Sequence, residues 1–572
     1  MEMNMEEIQE TSVWRLYEIG RDYHRRTNIY TDSDRNYRFF NGDQWEGAKL
    51  GDVEPVQKNF IKPIVKYKCA VVHSNLYGVV YSSMNFENRA FRKQAEKYCG
   101  LLNGYMARLW EQDKMDKKLR EITWDAAIND EGIIYVYFDR ENNTPVHEVV
   151  KKSDIYYGNE NDDNIQDQPY ILIRKRMPVS NAVDLALREG ASEATIQGVC
   201  LGDNDTHDES GDAAKEEVHD GCTVVYKMYK KNGTVHFSVA TRYADIVEDV
   251  DTGLSLYPVA HFNWEWKAGS ARGEGEVRHL IPNQIEVNRI EVRRVLTVKY
   301  QAYPQKVVDV SKVANPQALN TVGGIIRTNG QPVDDVQKIV GTIPPAQMST
   351  DVVKLQDDLI QITRELAGAS DAATGQVNPE DASGRAILAV QQANQAPVNS
   401  QKEGLKDLIE DVAKIDLEYL IVHAEDGVNM EEKVKDPYTG EETYVVVNVP
   451  QTALEQLQAT VKIDVTPKGA FDKFAQEQSM ENLLTAGLFN PQRMPEVKLW
   501  VKTLDDDSVM PKQKLLDMIE EWDEEQRKIA MIQQQAQMMQ QRAEQFLMGD
   551  PDQQADQIAD AKMKLAAQQN SN

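Results

Sequence analysis

The chain has 572 residues and a formal net charge of −28, from 64 basic and 92 acidic side chains. Hydrophobic residues make up 41% of it, which is enough for sizeable cores and excludes a globally disordered protein. At about 150 residues per domain, the length predicts three to four domains. No run of about 18 apolar residues is present to form a membrane-spanning helix, and the acidic first residues lack the apolar core of a signal peptide.

The cysteine count and the charge exclude two further classes. Four cysteines without a CxxC pair make neither a disulfide framework nor a zinc ribbon, so we expect free thiols in a reducing compartment. A protein that grips nucleic acid through phosphates normally has a basic surface, which this acidic chain lacks. If it handles nucleic acid, it does so through local basic spots or without gripping it.

The first 128 residues show mainly helical periodicity. Helices are predicted over 12–46, 59–77, 90–110 and 115–129. Asn41-Gly42 marks a turn within the first of these ranges, and Pro63 suits the first turn of the second helix. This part of the chain is therefore expected to be a helical layer.

A β-rich region follows, with turn residues between its segments. Strand patterns lie at 132–140, 146–158, 169–179, 223–243 and 257–266. Asn232-Gly233 predicts a hairpin turn inside the fourth segment. Ser180 is expected to cap a short helix that ends at Arg188.

The second half of the chain begins with a glycine-rich stretch. GSARGEGE at 269–276 is predicted to be a flexible entry to a helix over 277–300. A small module with β-like pieces and frequent Pro and Gly covers 301–349, and a second helix covers 351–368. The pattern predicts two helices separated by a small β-containing module.

A linker without large side chains, 369–383, precedes a long helical stretch over 384–425. Pro397 inside that stretch predicts a kink or a break. Short strands are expected at 442–450 and 459–469. The chain is therefore predicted to change from helix back to strand before its C-terminal part.

From residue 471 onward the pattern is helical and includes a Gln-rich segment. Apolar residues of that segment follow alternating spacings of four and three, which is typical of a heptad seam between packed helices. The seam residues are Ile529, Ile532, Ala536, Met539, Ala543 and Phe546. We expect them to pack inward, with the Gln-rich face outward.

The predicted helix over 277–300 contains several polar and basic side chains. They are Arg278, Gln284, Arg289, Arg293, Arg294 and Lys299. The apolar residues of this helix are too widely spread for one narrow stripe, so the helix is expected to have neighbours on more than one side. We therefore interpret the cations as intersubunit ion pairs or a local nucleic-acid contact; the alternative is a solvated face without clear pairing at four-residue spacing.

No catalytic motif is present. The chain has no P-loop, no HExxH and no GxSxG, and its histidines do not pair with a Cys or Ser in a pattern typical of a nucleophile. An acidic segment, 203–220, contains a metal-like set, Asp203, Asp205, His207, Asp208 and Asp212. It lacks the Gly and Glu of an EF-hand, so we expect an exposed, outward-facing loop, no metal, no cofactor and no enzyme.

The order of these parts resembles the portal protein of tailed bacteriophages over roughly residues 30–500. The local pieces that carry the resemblance are 59–77, the Gly-then-Gln/Asn-rich helix at 273–300, and 375–395, GQVNPEDASGRAILAVQQANQ. The resemblance implies an α+β portal fold with a wing, a helical stem, a small β-containing clip and a helical crown. Its divisions are a wing at 1–276, stem helices at 277–300 and 350–368, a clip at 301–349, a tunnel loop at 369–383, a long kinked helix with a wing return at 384–470, and a crown at 471–572.

The resemblance also implies partners. They are other copies of the chain in a ring, typically of twelve, double-stranded DNA in a central channel, the terminase large subunit, a head–tail adaptor, the major capsid protein and scaffold protein. The location implied is the portal vertex of the virion, with assembly in the host cytoplasm and no membrane. The tunnel-loop residues placed at the channel are Asp371, Gln376, Asn378, Glu380 and Asp381.

Two other classes stay open from the residues alone. A coiled-coil adaptor or scaffold is supported by the heptad seam, although heptads occupy a small part of the chain. A metal-dependent nucleic-acid-processing enzyme needs a convergent set of carboxylates on β-strands. The acidic residues here lie mostly in predicted loops and on helix faces.

Overall fold

The fold is known from a computed structural model, which describes residues 11–48, 54–73, 76–83, 89–203, 205, 221–303, 305–321, 323–330, 339–344, 347–369, 398–423, 427–435, 442–458, 461–468 and 536–537. The chain divides into two units, Met1–Thr466 and Pro467–Asn572. The elements that follow lie in the first unit, apart from the last residues of its final strand.

Five helices and one strand come first. They are α1 (Val13–Arg26), α2 (Ile29–Asn41), α3 (Ile61–Val72), β1 (Leu76–Ser83), α4 (Arg89–Gln112) and α5 (Met115–Asn129). The Ser12 hydroxyl accepts from the Arg15 N–H and caps α1, while Gly42, with a φ of 100°, ends α2, a position that favours glycine. The predicted helices are confirmed, although the first is split in two and β1 begins where the second was expected to continue.

Two antiparallel sheets follow. The first has the order β3-β2-β9 and contains β2 (Glu131–Asp139), β3 (Thr144–Val150) and β9 (Val259–Asn263). The second has the order β4-β5-β6-β7-β8 and contains β4 (Ile155–Tyr157), β5 (Ile171–Pro178), β6 (Gly221–Lys231), β7 (Thr234–Ala240) and β8 (Asp245–Asp251). Asn232 and Gly233 both have positive φ at the β6–β7 turn, which confirms the predicted hairpin.

Two short helices, α6 (Val179–Arg188) and α7 (Glu193–Cys200), pack against the second sheet. The backbone is already helical at Val179, directly after Pro178. Ser180 therefore lies inside the first turn of α6 and does not cap it, so that prediction is wrong.

A projecting pair of helices, here called the arm (276–366), comes next. It contains α8 (Glu276–Ala302), β10 (Lys306–Val308), β11 (Val340–Thr342) and α9 (Thr350–Leu366). The 27 residues of α8 span about 40 Å at 1.5 Å per residue. Both predicted helices are confirmed, as is strand structure between them.

Helices α8 and α9 run antiparallel and contact each other at two successive points. The Asn283 amide donates to the Thr363 hydroxyl at 2.9 Å near the base, and Arg294 donates to Gln356 at 3.0 Å further along. The strands β10 and β11 continue this antiparallel pairing beyond the helices. The arm is therefore one continuous hairpin-like unit.

The described chain resumes with α10 (Asn399–His423), β12 (Val428–Lys435), β13 (Glu442–Val449), α11 (Gln451–Gln458) and β14 (Val461–Lys468). The strands β12 and β13 form a hairpin, and β14 pairs with β1. Helix α10 begins two residues after Pro397, as expected for a helix break at proline. The strands at β13 and β14 were predicted and β12 was not.

The elements outside the arm, here called the body (11–275 and 398–468 as described), share three main cores. The largest lies between the first sheet and α3, α5, α8 and α10. A second joins α4 and α10 to β1, β12 and β13, and a third packs α1 on the second sheet. Because the first half of α8 packs in the largest core, α8 joins the arm to the body both covalently and by packing.

Candidate assembly surface

The glycine-rich stretch before α8 is a packed junction, and the prediction of a flexible entry is wrong. Arg272 is buried, donates through Nε to Glu160 at 2.8 Å and donates through Nη1 to Glu131. A Cβ at Gly273 or at Gly275 would lie within 3 Å of backbone atoms of neighbouring segments. These glycines therefore allow neighbouring backbone segments to pack closely directly before α8. The frequent glycines of this stretch serve packing and do not indicate a flexible segment.

The junction is ionic at neutral pH. Burial alone would raise the pKa of Glu131, but Arg272 and His261 beside it lower that pKa to about 2. Burial and the same guanidinium lower the pKa of His24 to about 4. The segment directly before α8 therefore contains a buried arginine that is paired with two carboxylates.

A ladder of buried amides joins α8 to the segment before α3. Gln284 accepts from the Phe60 N–H at 3.0 Å and donates to the Lys58 carbonyl at 2.9 Å. Asn288 accepts from the Lys58 N–H at 3.3 Å and donates to Gln44 at 2.6 Å. Gln284, one of the predicted stem residues, is therefore an anchor of the helix on the body and has no exposed surface in the single chain.

Two of the predicted basic residues are paired within α8. Arg289 pairs with Glu286, and Arg294 lies 3.3 Å from Glu291. Both pairs have a spacing of three residues, which also brings side chains together on a helix. The intersubunit and nucleic-acid interpretations of these cations stay predictions. Buried Gln356 of α9 accepts from Arg294 and donates to Glu291 at 2.7 Å, which bridges the two helices.

The other three predicted cations of α8 are exposed. Arg278 lies 3.8 Å from Asp32 of α2. Arg293 and Lys299 form no ion pair within the described part of the chain. From Arg293 to its end, α8 contains no buried residue, and Arg294 in this part contacts Gln356 of α9.

Exposed apolar side chains are concentrated on the arm. Of the 22 large hydrophobic side chains that are exposed among the described residues, 12 lie between Val295 and Leu366. The most exposed are Leu366 (81%), Ile325 (78%) and Tyr303 (71%). Such a concentration of large apolar side chains in water is typical of a protein–protein interface.

The start of the acidic segment is buried, which corrects the prediction of an exposed loop. Asp203 accepts from Arg176 at 2.5 Å and from the Thr223 N–H at 2.6 Å, and Asp205 accepts from Arg21 at 2.6 Å. These partners come from three distant segments and replace the water that the composition led us to expect. The rest of that segment, with His207, Asp208 and Asp212, lies outside the described residues, and no metal-binding group exists among the described ones.

Helix α10 is fixed to the body by a buried histidine between two aspartates. His147 Nε2 lies 2.9 Å from Asp416 of α10, and His147 Nδ1 lies 2.6 Å from Asp113. The Trp110 indole also donates to Asp416 at 3.0 Å. Burial alone would lower the pKa of His147, but Asp416 and Asp113 raise it to about 9. No sequence pattern pairs His147 with a residue 269 positions away, so the prediction missed this contact.

The remaining predicted site residues are mostly outside the described part of the chain. This holds for the tunnel-loop set Asp371, Gln376, Asn378, Glu380 and Asp381, and for the seam residues Ile529, Ile532, Met539, Ala543 and Phe546. Ala536 is described, is helical and is exposed in the single chain. The tunnel loop and the seam therefore stay predictions.

The combination of helices with antiparallel sheets agrees with the α+β portal fold that the sequence resembles. No described helix has both the length and the apolar character needed to cross a membrane. The exposed apolar side chains of the arm are typical of a protein that assembles with partners.

The family comparison agrees with this class. The model of the family described as Phage P22-like portal protein matches residues 17–572, and the chain therefore belongs to that family. Members of this family are structural proteins of the phage capsid and serve genome packaging. Membership of the family implies a homo-oligomeric ring and a location at the capsid vertex. No curated protein matches the chain.

Proposed function

We propose that twelve copies of this chain close into a ring around a DNA channel, with the body as the wing and the arm as the stem and clip. The stem would comprise residues 277–300 and 350–368, and the clip 301–349. The concentration of exposed apolar side chains on the arm supports this proposal most directly, because a ring covers such surfaces with neighbouring copies.

The clip would dock the terminase large subunit during packaging and a head–tail adaptor afterwards, while the body faces the major capsid and scaffold proteins. The β10–β11 pair supports this role, since both outer edges of this two-stranded sheet are unpaired among the described residues and free edges accept partners. The assembled ring would occupy the portal vertex, after assembly in the host cytoplasm. Deletion of 305–344 should leave a folded body that no longer docks either partner.

Residues 369–383 would line the narrowest part of the channel. Asp371, Glu380 and Asp381 would repel the DNA phosphates, whereas Gln376 and Asn378 would make weak contacts that do not depend on sequence. The loop would guide DNA, and a separate ATPase would move it, since the chain has no P-loop. Lysine at the three acidic positions should slow packaging and ejection at low salt, and the slowing should weaken at high salt; unchanged rates at low salt would contradict the proposal.

Residues 384–470 would run back across the wing, and 471–572 would form the helical crown. The seam residues would pack against other crown helices or a neighbouring copy, and the exposure of Ala536 in the single chain leaves room for a neighbour. A glutamate at Ile532 should loosen the crown without breaking the stem. Solvent exposure of Ile532 in the assembled particle would contradict the seam.

Native mass spectrometry and negative-stain imaging of the purified full-length chain test the ring itself. A closed ring of about twelve copies with a central hole is expected. A stable dimer would favour the coiled-coil adaptor. A monomer with metal-dependent nuclease activity would favour the enzyme.

A further inference from the structure

The two helices of the arm expose surfaces of opposite charge. The side chains of Arg289, Arg293 and Tyr300 are exposed and fall on one face of α8 at the helical period. Exposed Glu286 lies on the same face and pairs with Arg289, so Arg293 gives this face its net positive charge. On α9, Asp351, Asp358 and Glu365 are exposed and repeat every seven residues, so they also share one face. Exposed Lys354 lies beside them, which leaves this face with an excess of acidic side chains. Each arm therefore presents a basic face and an acidic face to its surroundings.

Each charged face also carries exposed apolar side chains. Tyr300 is exposed within the basic face of α8. Leu355, Ile362 and Leu366 form a second exposed row on α9, next to the acidic row at the helical period. Apolar area supplies affinity when it is buried, and charge fixes which surfaces meet.

One charged side chain on each face lacks an ion-pair partner among the described residues, whereas Arg289 pairs with Glu286 and Glu365 accepts from Gln361. Arg293 on α8 and Asp358 on α9 form no ion pair with any described residue. Within one arm, the α8–α9 contact is made by other side chains, through buried Gln356 and Thr363. The two faces are thus free to meet surfaces outside the protomer.

We propose that, in the ring, the basic face of α8 (Arg289, Arg293, Tyr300) packs against the acidic face of α9 (Asp351, Asp358, Glu365) and its apolar row in the next copy. This inference rests on the proposed ring. Contact of two α8 faces or of two α9 faces, as in a two-fold dimer, would oppose like charges. Contact of α8 with α9 is head-to-tail, and head-to-tail contacts close into rings when the rotation allows it.

The test uses two full-length charge-reversal variants. The first, R289E/R293E, makes both faces of the arm acidic, and the second, D358K/E365K, makes both faces basic. Each variant alone should assemble into rings at a level lowered by about tenfold or more, because every interface opposes like charges. An equimolar mixture should recover rings in which the two variants alternate, with a 1:1 composition by native mass spectrometry.

Three controls make the result specific. The conservative variant R289K/R293K should assemble as the wild type does. The quadruple variant, which exchanges the charges of the two faces, should also assemble. The body variant R15E/R188E reverses two exposed arginines, one of them in a helical pair like that of Arg289, and should assemble normally.

The outcomes separate this inference from the proposed ring. Normal ring formation by both reversal variants would overturn the face pairing and leave the ring intact; altered DNA transit in such rings would place these residues at the channel. Folded reversal variants that neither mixing nor the charge exchange rescues would also overturn it. Failure of the wild type to form rings would overturn the proposed function instead.

Discussion

In the body, buried cations meet carboxylates from distant parts of the chain, whereas many cations and carboxylates of the arm are exposed. Arg272 lies among Glu131 and Glu160, and His147 lies between Asp113 and Asp416. The arm exposes both signs of charge together with most of the exposed large hydrophobic side chains of the described chain. The body therefore pairs these buried charges within one protomer, whereas Arg293 on the arm forms no ion pair with a described residue.

This difference between body and arm predicts which substitutions alter the stability of a single chain and which alter assembly. A change in the buried networks of the body should alter the free energy of unfolding of a single chain. A change on the exposed faces of the arm should leave that free energy nearly constant and alter assembly. The following substitutions test this division, from the largest expected effect on unfolding to the smallest.

The largest effect is expected at the junction. Arg272→Met retains much of the side-chain volume but leaves Glu131 and Glu160 buried without their cation, which should lower the free energy of unfolding by about 3–5 kcal/mol. Urea unfolding followed by tryptophan fluorescence measures this. The control Lys267→Met removes an exposed pair with Glu274 and should cost less than about 1 kcal/mol. Equal losses of unfolding free energy in the two variants would contradict the claim that the buried contacts of Arg272 stabilise the fold.

The second effect is specific to pH. The folded pKa of His147 is raised to about 9, above the unfolded value of about 6.5, so its contribution to stability is complete below pH 6.5 and is lost as the pH rises through 9. The difference in unfolding free energy between the wild type and His147→Gln should fall by about 3 kcal/mol between pH 6 and pH 10.

Urea titrations of both proteins across this range measure the difference. His24 has a lowered pKa of about 4 and is neutral in both states above pH 8, so it does not obscure the upper half of the range. A difference that stays constant from pH 6 to pH 10 would show that His147 is not charged in the folded protein.

A smaller effect is expected at the amide ladder. Gln284→Leu leaves the Phe60 N–H and the Lys58 carbonyl without their partners and should cost about 1–3 kcal/mol. Gln361→Leu on α9 is a matched control, because Gln361 is exposed. Hydrogen exchange at the Phe60 amide offers a local readout: faster exchange is expected in the ladder variant, and unchanged exchange would count against the ladder.

The smallest effect on unfolding is expected on the arm surface. Ile362→Ser should change the free energy of unfolding of the unassembled chain by less than about 0.5 kcal/mol, since Ile362 is exposed. Ile281→Ser in the buried half of α8 should cost several times more. A large loss at Ile362 in the unassembled chain would mean that this face already packs within the protomer.

Much of the fold follows from local patterns in the sequence. Helix α5 begins and ends where it was predicted, and the Asn232-Gly233 turn and the two arm helices are also confirmed. Local periodicity and turn chemistry determine these elements. The strands β1, β8 and β12 were missed, because their pairing depends on distant partners and their composition is less distinctive.

The site was less predictable than the fold. The glycines around Arg272 and the acids at Asp203 and Asp205 are locally typical of flexible or solvated segments. In the folded chain, arginines and carboxylates from distant segments meet at these points. Because composition does not reveal which distant side chains meet, such buried networks could not be predicted, whereas the basic character of α8 could.

The most direct test of the division between body and arm is the assembly state of two matched full-length variants. I362D/L366D places charge on the exposed apolar row of α9, and L187D/L201D does the same at exposed leucines of the body. Native mass spectrometry should show rings for the wild type and the body variant, and unassembled folded chains for the arm variant. Rings formed by the arm variant at the wild-type level would contradict the claim that the arm carries the assembly surface.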